Sequence, residues 1–293
     1  GGSQTANCQP LVGSCRKRKL ALSHNGNLIN TNYLRDMLEE DGYMFQASSD
    51  TEVILYILAR YYKGDIVESL KITMDYIKGA YSLVIMGENE LVAVRDPHGF
   101  RPLILGKKDD EFIFASESCA IDILGGEVIR DVEPGEIIVV KDGQMKSYFY
   151  SENYKPVKRS CIFEHIYFAR NDATIDNVNV YDFRIKCGEA LAKNDNVKAD
   201  IVVPVPDSGW AGAIGYSNAS GLKISEGLVK NRYVGRTFIK PTQEEREIGV
   251  KIKLNPLSSI VKGKSVVLVD DSIVRGTTSK LIIKSLRDAG ASE

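Results

Sequence analysis

Several features are scarce in this chain, and each absence narrows what it can be. No apolar run approaches the length of a membrane-spanning helix, which argues against a membrane partner. Net charge is nearly absent: 38 Lys and Arg face 39 Asp and Glu, a balance of −1, so no general affinity for nucleic acid is expected. The cysteines Cys8, Cys15, Cys119, Cys161 and Cys187 are odd in number and scattered, which suits reduced thiols in a cytoplasmic protein better than a disulfide framework. His24, His98 and His165 lack metal-site spacing. No Gly-x-Gly-x-x-Gly opens a helix after a strand. Gly263-Lys264-Ser265 looks like the tail of a P-loop, but Ser258 stands where that loop needs glycine. Repeats and low-complexity tracts are also missing. What remains is the composition of a globular protein, 43% hydrophobic and 26% charged over 293 residues, with two domains as the expectation.

The most informative stretch runs from Val266 to Ser279 (VVLVDDSIVRGTTS). It reads as a buried strand ending in Asp270 and Asp271, then a loop rich in hydroxyls and glycine, then a helix. Ligands of α/β folds sit at such carboxyl ends of strands. Neighbouring carboxylates can hold ribose hydroxyls or, with water, a divalent cation. Ser272, Gly276, Thr277, Thr278 and Ser279 bring hydroxyls and approachable N–H groups to a helix start, a setting for phosphate. The plainer alternative is a strand end with an Asp-Ser helix cap.

Along the chain two patterns follow one another. Residues 1–150 read as an α+β domain. A short strand, Leu20–Ser23, enters His24-Asn25-Gly26. A helix with polar caps at Thr31 and Asn32 ends near Gly42. Asp50 is expected to cap a second helix, and a third runs from about Asp65 to Ile77. Strands Tyr81–Met86, Leu91–Val94, Leu103–Leu105, Phe112–Ala115 and Glu136–Val140 follow, separated by tight turns, which indicates antiparallel sheet. The polar stretch Ser151–Ser160 marks the boundary. Residues 151–293 then alternate helix and strand: Ile185–Ala192, Asp200–Val205, Ala211–Ala219, Leu222–Ser225, Ser265–Asp270 and Thr278–Asp288. That alternation is the signature of a parallel sheet.

The Asp200–Val205 strand ends in Pro204-Val-Pro-Asp-Ser-Gly209, again a carboxylate, a hydroxyl and a glycine. Beside a parallel neighbour, Asp207 and Ser208 could share one pocket with Asp270; alone, they read as a turn with an Asx cap. From Lys230 to Pro256 the chain is charged and poorly periodic, with Lys230, Tyr233, Arg236, Arg246, Lys251 and Lys253. So long a loop suggests a lid over pyrophosphate, or else a solvated loop, since Glu244, Glu245 and Glu247 dilute its charge.

These motifs resemble two known domains. Val266–Ser279 resembles the phosphoribosyl-pyrophosphate (PRPP) motif of type I phosphoribosyltransferases. Ser23-His-Asn-Gly26, Ser48-Ser-Asp-Thr-Glu52 and Arg95-Asp-Pro-His-Gly-Phe-Arg-Pro-Leu103 resemble the glutaminase domain of class II, N-terminal-nucleophile amidotransferases. Joined in this order, they resemble the glutamine PRPP amidotransferase family over essentially the whole chain. The resemblance implies an α+β glutaminase domain with antiparallel sheets, then an α/β phosphoribosyltransferase domain with a parallel sheet. It also implies a reaction: glutamine is hydrolysed, and its ammonia displaces pyrophosphate from PRPP to give phosphoribosylamine, the first committed step of purine synthesis.

The implied roles are residue by residue. Asn25 and Gly26 form the oxyanion hole, and Asp50 pairs with the α-amino group of glutamine. Asp207, Ser208, Lys230, Tyr233, Arg236, Asp270, Asp271, Ser272, Arg275, Gly276, Thr277 and Thr278 bind PRPP. Ser208, Asp270 and Asp271 hold Mg²⁺, and Cys161 is a candidate ligand of a structural [4Fe–4S] cluster. Purine nucleotides as feedback inhibitors and a homo-oligomer are further implications. The family's nucleophile is a cysteine at the mature N-terminus. Gly1 cannot replace it, and Cys8 and Cys15 lack the terminal amine that serves as base. The arginine holding the substrate carboxylate is also missing from the match. With its Gly1-Gly2-Ser3 start and Ala291-Ser292-Glu293 end, the sequence reads as a fragment lacking both termini and, as written, without glutaminase activity. The alternatives are another class II amidotransferase, which the PRPP loop contradicts, a non-catalytic PRPP-binding regulator, or a pseudoenzyme of the same fold.

Overall fold

Short apolar strands punctuated by glycine turns in the first half, and helix–strand alternation in the second, fold as separate bodies. The computed structural model describes residues 5–15, 18–151, 153–231 and 254–293. The chain divides into two compact units. One is Gly1–Glu164 with Ala173–Asn177, and the other is His165–Asp172 with Val178–Glu293.

In chain order the first unit holds β1 (Leu11–Cys15), β2 (Arg18–Leu28), α1 (Thr31–Glu40), α2 (Asp50–Tyr61), α3 (Ile66–Tyr76), β3 (Gly79–Met86), β4 (Glu90–Arg95), β5 (Ile104–Lys108), β6 (Glu111–Ala115), α4 (Ser118–Ile123), β7 (Glu127–Asp131), β8 (Glu136–Lys141), β9 (Gln144–Phe149) and β10 (Thr174–Ile175). Two antiparallel sheets result, ordered β1-β2-β3-β4-β8-β9 and β6-β5-β7. The core lies between the larger sheet and its helices: Val53, Ile54, Ile57 and Leu58 of α2 pack with Leu22, Leu83 and Ile85. All are fully buried at helical or alternate-strand spacing, which stabilises by about 1.5–3 kcal/mol for each large side chain.

Three local expectations need correction. The strand expected at Leu20–Ser23 continues to Leu28, because Ser23 through Leu28 pair with Val84 through Gly79 of β3. Neither Thr31 nor Asn32 caps α1; Asn30 is the cap position, and its amide is spent on Tyr76 O and Lys78 N. The cap of α2 is Ser49, whose Oγ accepts the Thr51 N–H at 3.2 Å, while Asp50 is the first helical residue.

One buried polar knot braces this unit. Arg95 is fully buried and donates to Arg101 O at 2.8 Å, Val132 O at 2.7 Å and Gly99 O at 3.1 Å. Its guanidinium also meets Asp176 Oδ1 at 3.2 Å and Oδ2 at 3.3 Å. Asp176 further takes the Ser160 hydroxyl at 2.6 Å and the Lys158 ammonium at 2.9 Å. Although burial opposes its ionisation, the hydrogen bonds from Arg95 and Ser160 hold its carboxyl down at about 2.

The second unit holds β11 (Val178–Asn179), α5 (Val180–Lys193), β12 (Ile201–Pro204), α6 (Trp210–Ser220), β13 (Lys223–Ile224), β14 (Leu228–Lys230), β15 (Leu254–Pro256), α7 (Ser258–Val261), β16 (Val266–Val269) and α8 (Thr277–Asp288). Its central sheet is parallel, ordered β13-β12-β16. All four residues of β12 are buried, as expected of a strand covered on both faces. The charged stretch expected as one loop from Lys230 to Pro256 begins and ends in strand. Here β14 and β15 pair antiparallel with Lys230 opposite Leu254. Tyr233, Arg236, Arg246 and Lys251 lie outside the described residues, as does Lys253. No helix among the described residues is long and apolar enough to cross a membrane.

Candidate functional sites

The first unit contains a cavity of about 260 Å³ lined by residues that include Gln9, His24, Asn25, Ser82, Phe114 and Ser116. Antiparallel pairing sets its geometry. Gly26 lies opposite Tyr81 at a tight approach of β2 to β3, where a Cβ would sit 2.0 Å from Ala80 O, so only glycine fits. Asn25, the preceding residue, is exposed, and its Nδ2 donates to Ser116 Oγ at 3.1 Å.

Asp50 does not line this cavity. It meets the cavity-lining His24, whose Nδ1 is 3.4 Å from Asp50 Oδ1 and 3.4 Å from Thr51 Oγ1. Asp50 Oδ2 accepts the Leu28 N–H at 3.0 Å. Burial would raise its pKa, but the hydrogen bonds from His24 and Leu28 outweigh it and hold the carboxyl below its usual value. The sequence reading missed Gln9 and Ser116. Ser116 sits at a strand end in a Ser-Glu-Ser turn signal, but nothing in the local sequence marks Gln9.

In the second unit, parallel register does the positioning. Pro204 pairs with Val269, so the Val205-Pro-Asp-Ser208 turn and Asp270-Asp271 leave adjacent strands at the same sheet edge. Val205 N donates to Val269 O at 2.8 Å and extends the ladder by one bond. Gly209 lies directly on that edge, where a Cβ would be 2.4 Å from Val269 O. The Pro206–Asp207 peptide is cis. Lys230 at the end of β14 forms an exposed ion pair with Asp207. The structure thus brings together Asp207, Ser208 and Lys230, and sets the Asp207–Ser208 turn and Asp270 on neighbouring strands.

The loop after β16 is arranged around Asp270. Asp271 N donates to Asp270 Oδ1 at 2.9 Å, and Ser272 Oγ to Asp271 Oδ1 at 2.6 Å. Burial raises the Asp270 pKa; the Asp271 N–H opposes this, and the like charge of Asp271 adds to it. Gly276 then takes φ +70° as the N-cap of α8 and offers no side-chain cap to the first N–H groups. Arg275, Thr277 and Thr278 are exposed beside them. An uncapped helix start with hydroxyls at its first positions offers donors to an anion.

The two implied metal groups fare differently. Two adjacent carboxylates at a strand end suit a divalent cation, and Mg²⁺ characteristically takes one or two carboxylates and completes its shell with water and substrate phosphate. Asp270, Asp271 and Ser208 fit that mode. For the cluster the described residues supply one candidate ligand, the half-buried Cys161, and no group of three candidate ligands is found among them. Four ligands are required.

An N-terminal-nucleophile glutaminase fold with antiparallel sheets, followed by a type I phosphoribosyltransferase fold with a parallel sheet, is the class these units define. Residues 3–122 match the family described as a glutamine amidotransferase domain. Over its full length the chain is 49% identical to the amidophosphoribosyltransferase of Methanothermobacter thermautotrophicus and 47% identical to that of Methanocaldococcus jannaschii, spanning 62% and 65% of those proteins. A solved structure, glutamine PRPP amidotransferase from B. subtilis complexed with ADP and GMP, superposes with a TM-score of 0.91 at 46% identity, covering 100% of this chain and 64% of that one. The chain belongs to the amidophosphoribosyltransferase family.

Proposed function

We propose that this protein acts as an amidophosphoribosyltransferase: it hydrolyses glutamine and uses the ammonia to displace pyrophosphate from PRPP, giving phosphoribosylamine for purine synthesis. The carrying observation is that one chain holds both the cavity lined by Asn25 and the strand end and helix start from Asp270 to Thr278. We assign the first unit to the glutaminase and the second to the phosphoribosyltransferase.

In the first unit, the Asn25 amide and the Gly26 N–H would donate to the oxyanion that develops on the substrate carboxamide. Such donors lower the barrier because they are oriented before charge appears. Asp50, held ionised, is suited to the α-amino group of glutamine. Among the described residues that line the cavity there is no cysteine.

In the second unit, the N–H groups and hydroxyls of Ser272 to Thr278 would take the 5′-phosphate. Asp207, Ser208, Lys230 and Arg275 would take the pyrophosphate side, with Tyr233 and Arg236 assigned there from the resemblance. Mg²⁺ on Asp270, Asp271 and Ser208 would neutralise charge on the departing pyrophosphate. The carboxylates orient that end of the substrate while α8 fixes the other. Control by purine nucleotides is supported by the ADP and GMP of the B. subtilis structure. An oligomer and a cytoplasmic location complete the reading, the latter supported by the odd, scattered set of five cysteines. Cys161 serves a cluster only where three further thiolates are supplied.

The test is pyrophosphate release from PRPP by the intact gene product, driven first by ammonia and then by glutamine. Release with both is expected, and Asp271→Ala should abolish it. No release with ammonia would overturn the assignment.

A further inference from the structure

We propose that Gln9 is a positioning residue for glutamine hydrolysis, holding the Asn25–Gly26 element in place by standing in for strand pairing that no described residue's backbone supplies there. The inference rests on the glutaminase reading above and adds a residue to it.

The β1–β2 ladder ends at Leu11 opposite Leu22, while β2 runs on to Leu28 with β3 on its other side. Beyond Leu22, β2 therefore has an edge whose N–H and C=O groups need partners. Continuing the register would set Pro10 opposite Ser23 and Gln9 opposite His24, but Pro10 has no N–H with which to extend the ladder.

The Gln9 side chain supplies what the backbone does not. Its Oε1 accepts the His24 N–H at 2.5 Å, and its Nε2 donates to His24 O at 3.1 Å. One carboxamide thus reproduces the donor and acceptor of a paired strand residue, immediately before Asn25. The same Nε2 donates to Thr51 Oγ1 at 3.3 Å. Thr51 sits in the first turn of α2 beside Asp50, and His24 Nδ1 faces both.

Gln9 accordingly ties the proposed oxyanion donors to the helix that carries the proposed amino-group partner. Asn7 repeats the device one step away, its amide donating to Ser48 Oγ and accepting from Ser48 N, each at 3.0 Å. Gln9 is itself exposed and lines the cavity, so replacing it opens no hole in the core. Misplacing a preorganised donor by a fraction of an ångström affects rate more than binding.

The test uses the intact gene product and steady-state glutamine hydrolysis, with active sites counted by a diazoketone analogue of glutamine. Gln9→Ala should lower kcat per active site by about tenfold or more while KM for glutamine moves less than about threefold. Gln9→Glu keeps the acceptor but sets an oxygen against His24 O, and should be impaired at least as much. Asn7→Ala, one step removed, should have a smaller effect. A kcat within about twofold of wild type for Gln9→Ala overturns the inference. So does a fall in unfolding temperature with normal kcat at the surviving sites, which would mark Gln9 as merely structural. A wild-type enzyme that hydrolyses no glutamine overturns the underlying reading as well, and is told apart by that fact.

Discussion

The two units meet a similar electrostatic demand by different means. Each proposed site must receive negative charge, an oxyanion in the first and a phosphate in the second. In the first, one donor is a side chain, Asn25, and the strand presenting it is kept in register by further side chains: Gln9, His24 and Asp50. In the second, the donors are backbone N–H groups at the start of α8, made available because Gly276 turns the chain at φ +70° and brings no capping side chain. A side-chain site can be tuned one residue at a time. A backbone site is set by the fold and should resist most single substitutions except those that change chain geometry or charge.

The harshest way to break the comparison is to add a methyl group where neither site has room. A Cβ on Gly26 would fall 2.0 Å from Ala80 O, and one on Gly209 would fall 2.4 Å from Val269 O, both backbone atoms that cannot step aside. Gly26→Ala and Gly209→Ala should each cost roughly 3 kcal/mol or more, read as a lowered denaturation midpoint. Each should abolish the activity of its own unit first. Equal loss of both activities in either variant would mean that the two sites are not independently built.

Chemical truncation should come next. Asn25→Ala removes a proposed oxyanion donor and should lower kcat for glutamine hydrolysis by about 10²–10³. Thr277→Ala removes a hydroxyl but leaves the N–H groups of α8, so the rise in KM for PRPP should stay below about tenfold. A Thr277 effect as large as that of Asn25 would erase the distinction drawn between the sites.

How far the sequence carried this reading depends on where the physics is local. The Val266–Ser279 segment was legible because an apolar run, a carboxylate pair and a helix start occur in direct succession. The β12–β16 pairing was legible as strand–helix alternation. Other elements carried no local pattern. All six residues of β9 are exposed, so no periodicity betrays a strand whose only order comes from pairing with β8. The pairing of β14 with β15 joins three residues on each side across a long separation in sequence. Asp50 reads as a helix cap because its spacing allows it, yet Ser49 takes that place and leaves Asp50 to meet His24 and Leu28. Gln9 matters only through register, which a single chain read locally does not disclose.

A moderate effect is expected at the polar knot of the first unit. Asp176 is ionised in the fold with its carboxyl held at about 2, against an ordinary value near 3.9. A depressed pKa contributes stability that is fully present above the unfolded value and is lost as pH falls through the folded one, here between roughly pH 4 and 2. Asp176→Asn should therefore cost about 2 kcal/mol near neutral pH, more if buried Arg95 finds no other partner, and should flatten the acid side of the stability profile. An unchanged acid profile in this variant would remove Asp176 from the account.

The smallest effect on stability belongs to Lys230, and it separates folding from binding at the second site. Its ion pair with Asp207 is exposed on both sides, with half of the lysine side chain and 73% of the aspartate accessible. Pairs of that kind contribute between about 0 and 1 kcal/mol, because water screens them and ordering two long side chains costs entropy. Lys230→Met should thus leave the denaturation midpoint nearly unchanged. It removes, however, a cation that the proposed pyrophosphate would meet beside Ser208. KM for PRPP should rise by about fivefold at low ionic strength, and the gap from wild type should narrow as salt is added and both proteins are screened. A KM change insensitive to salt would mean that Lys230 acts through shape rather than charge. No KM change at all would detach Lys230 from the site.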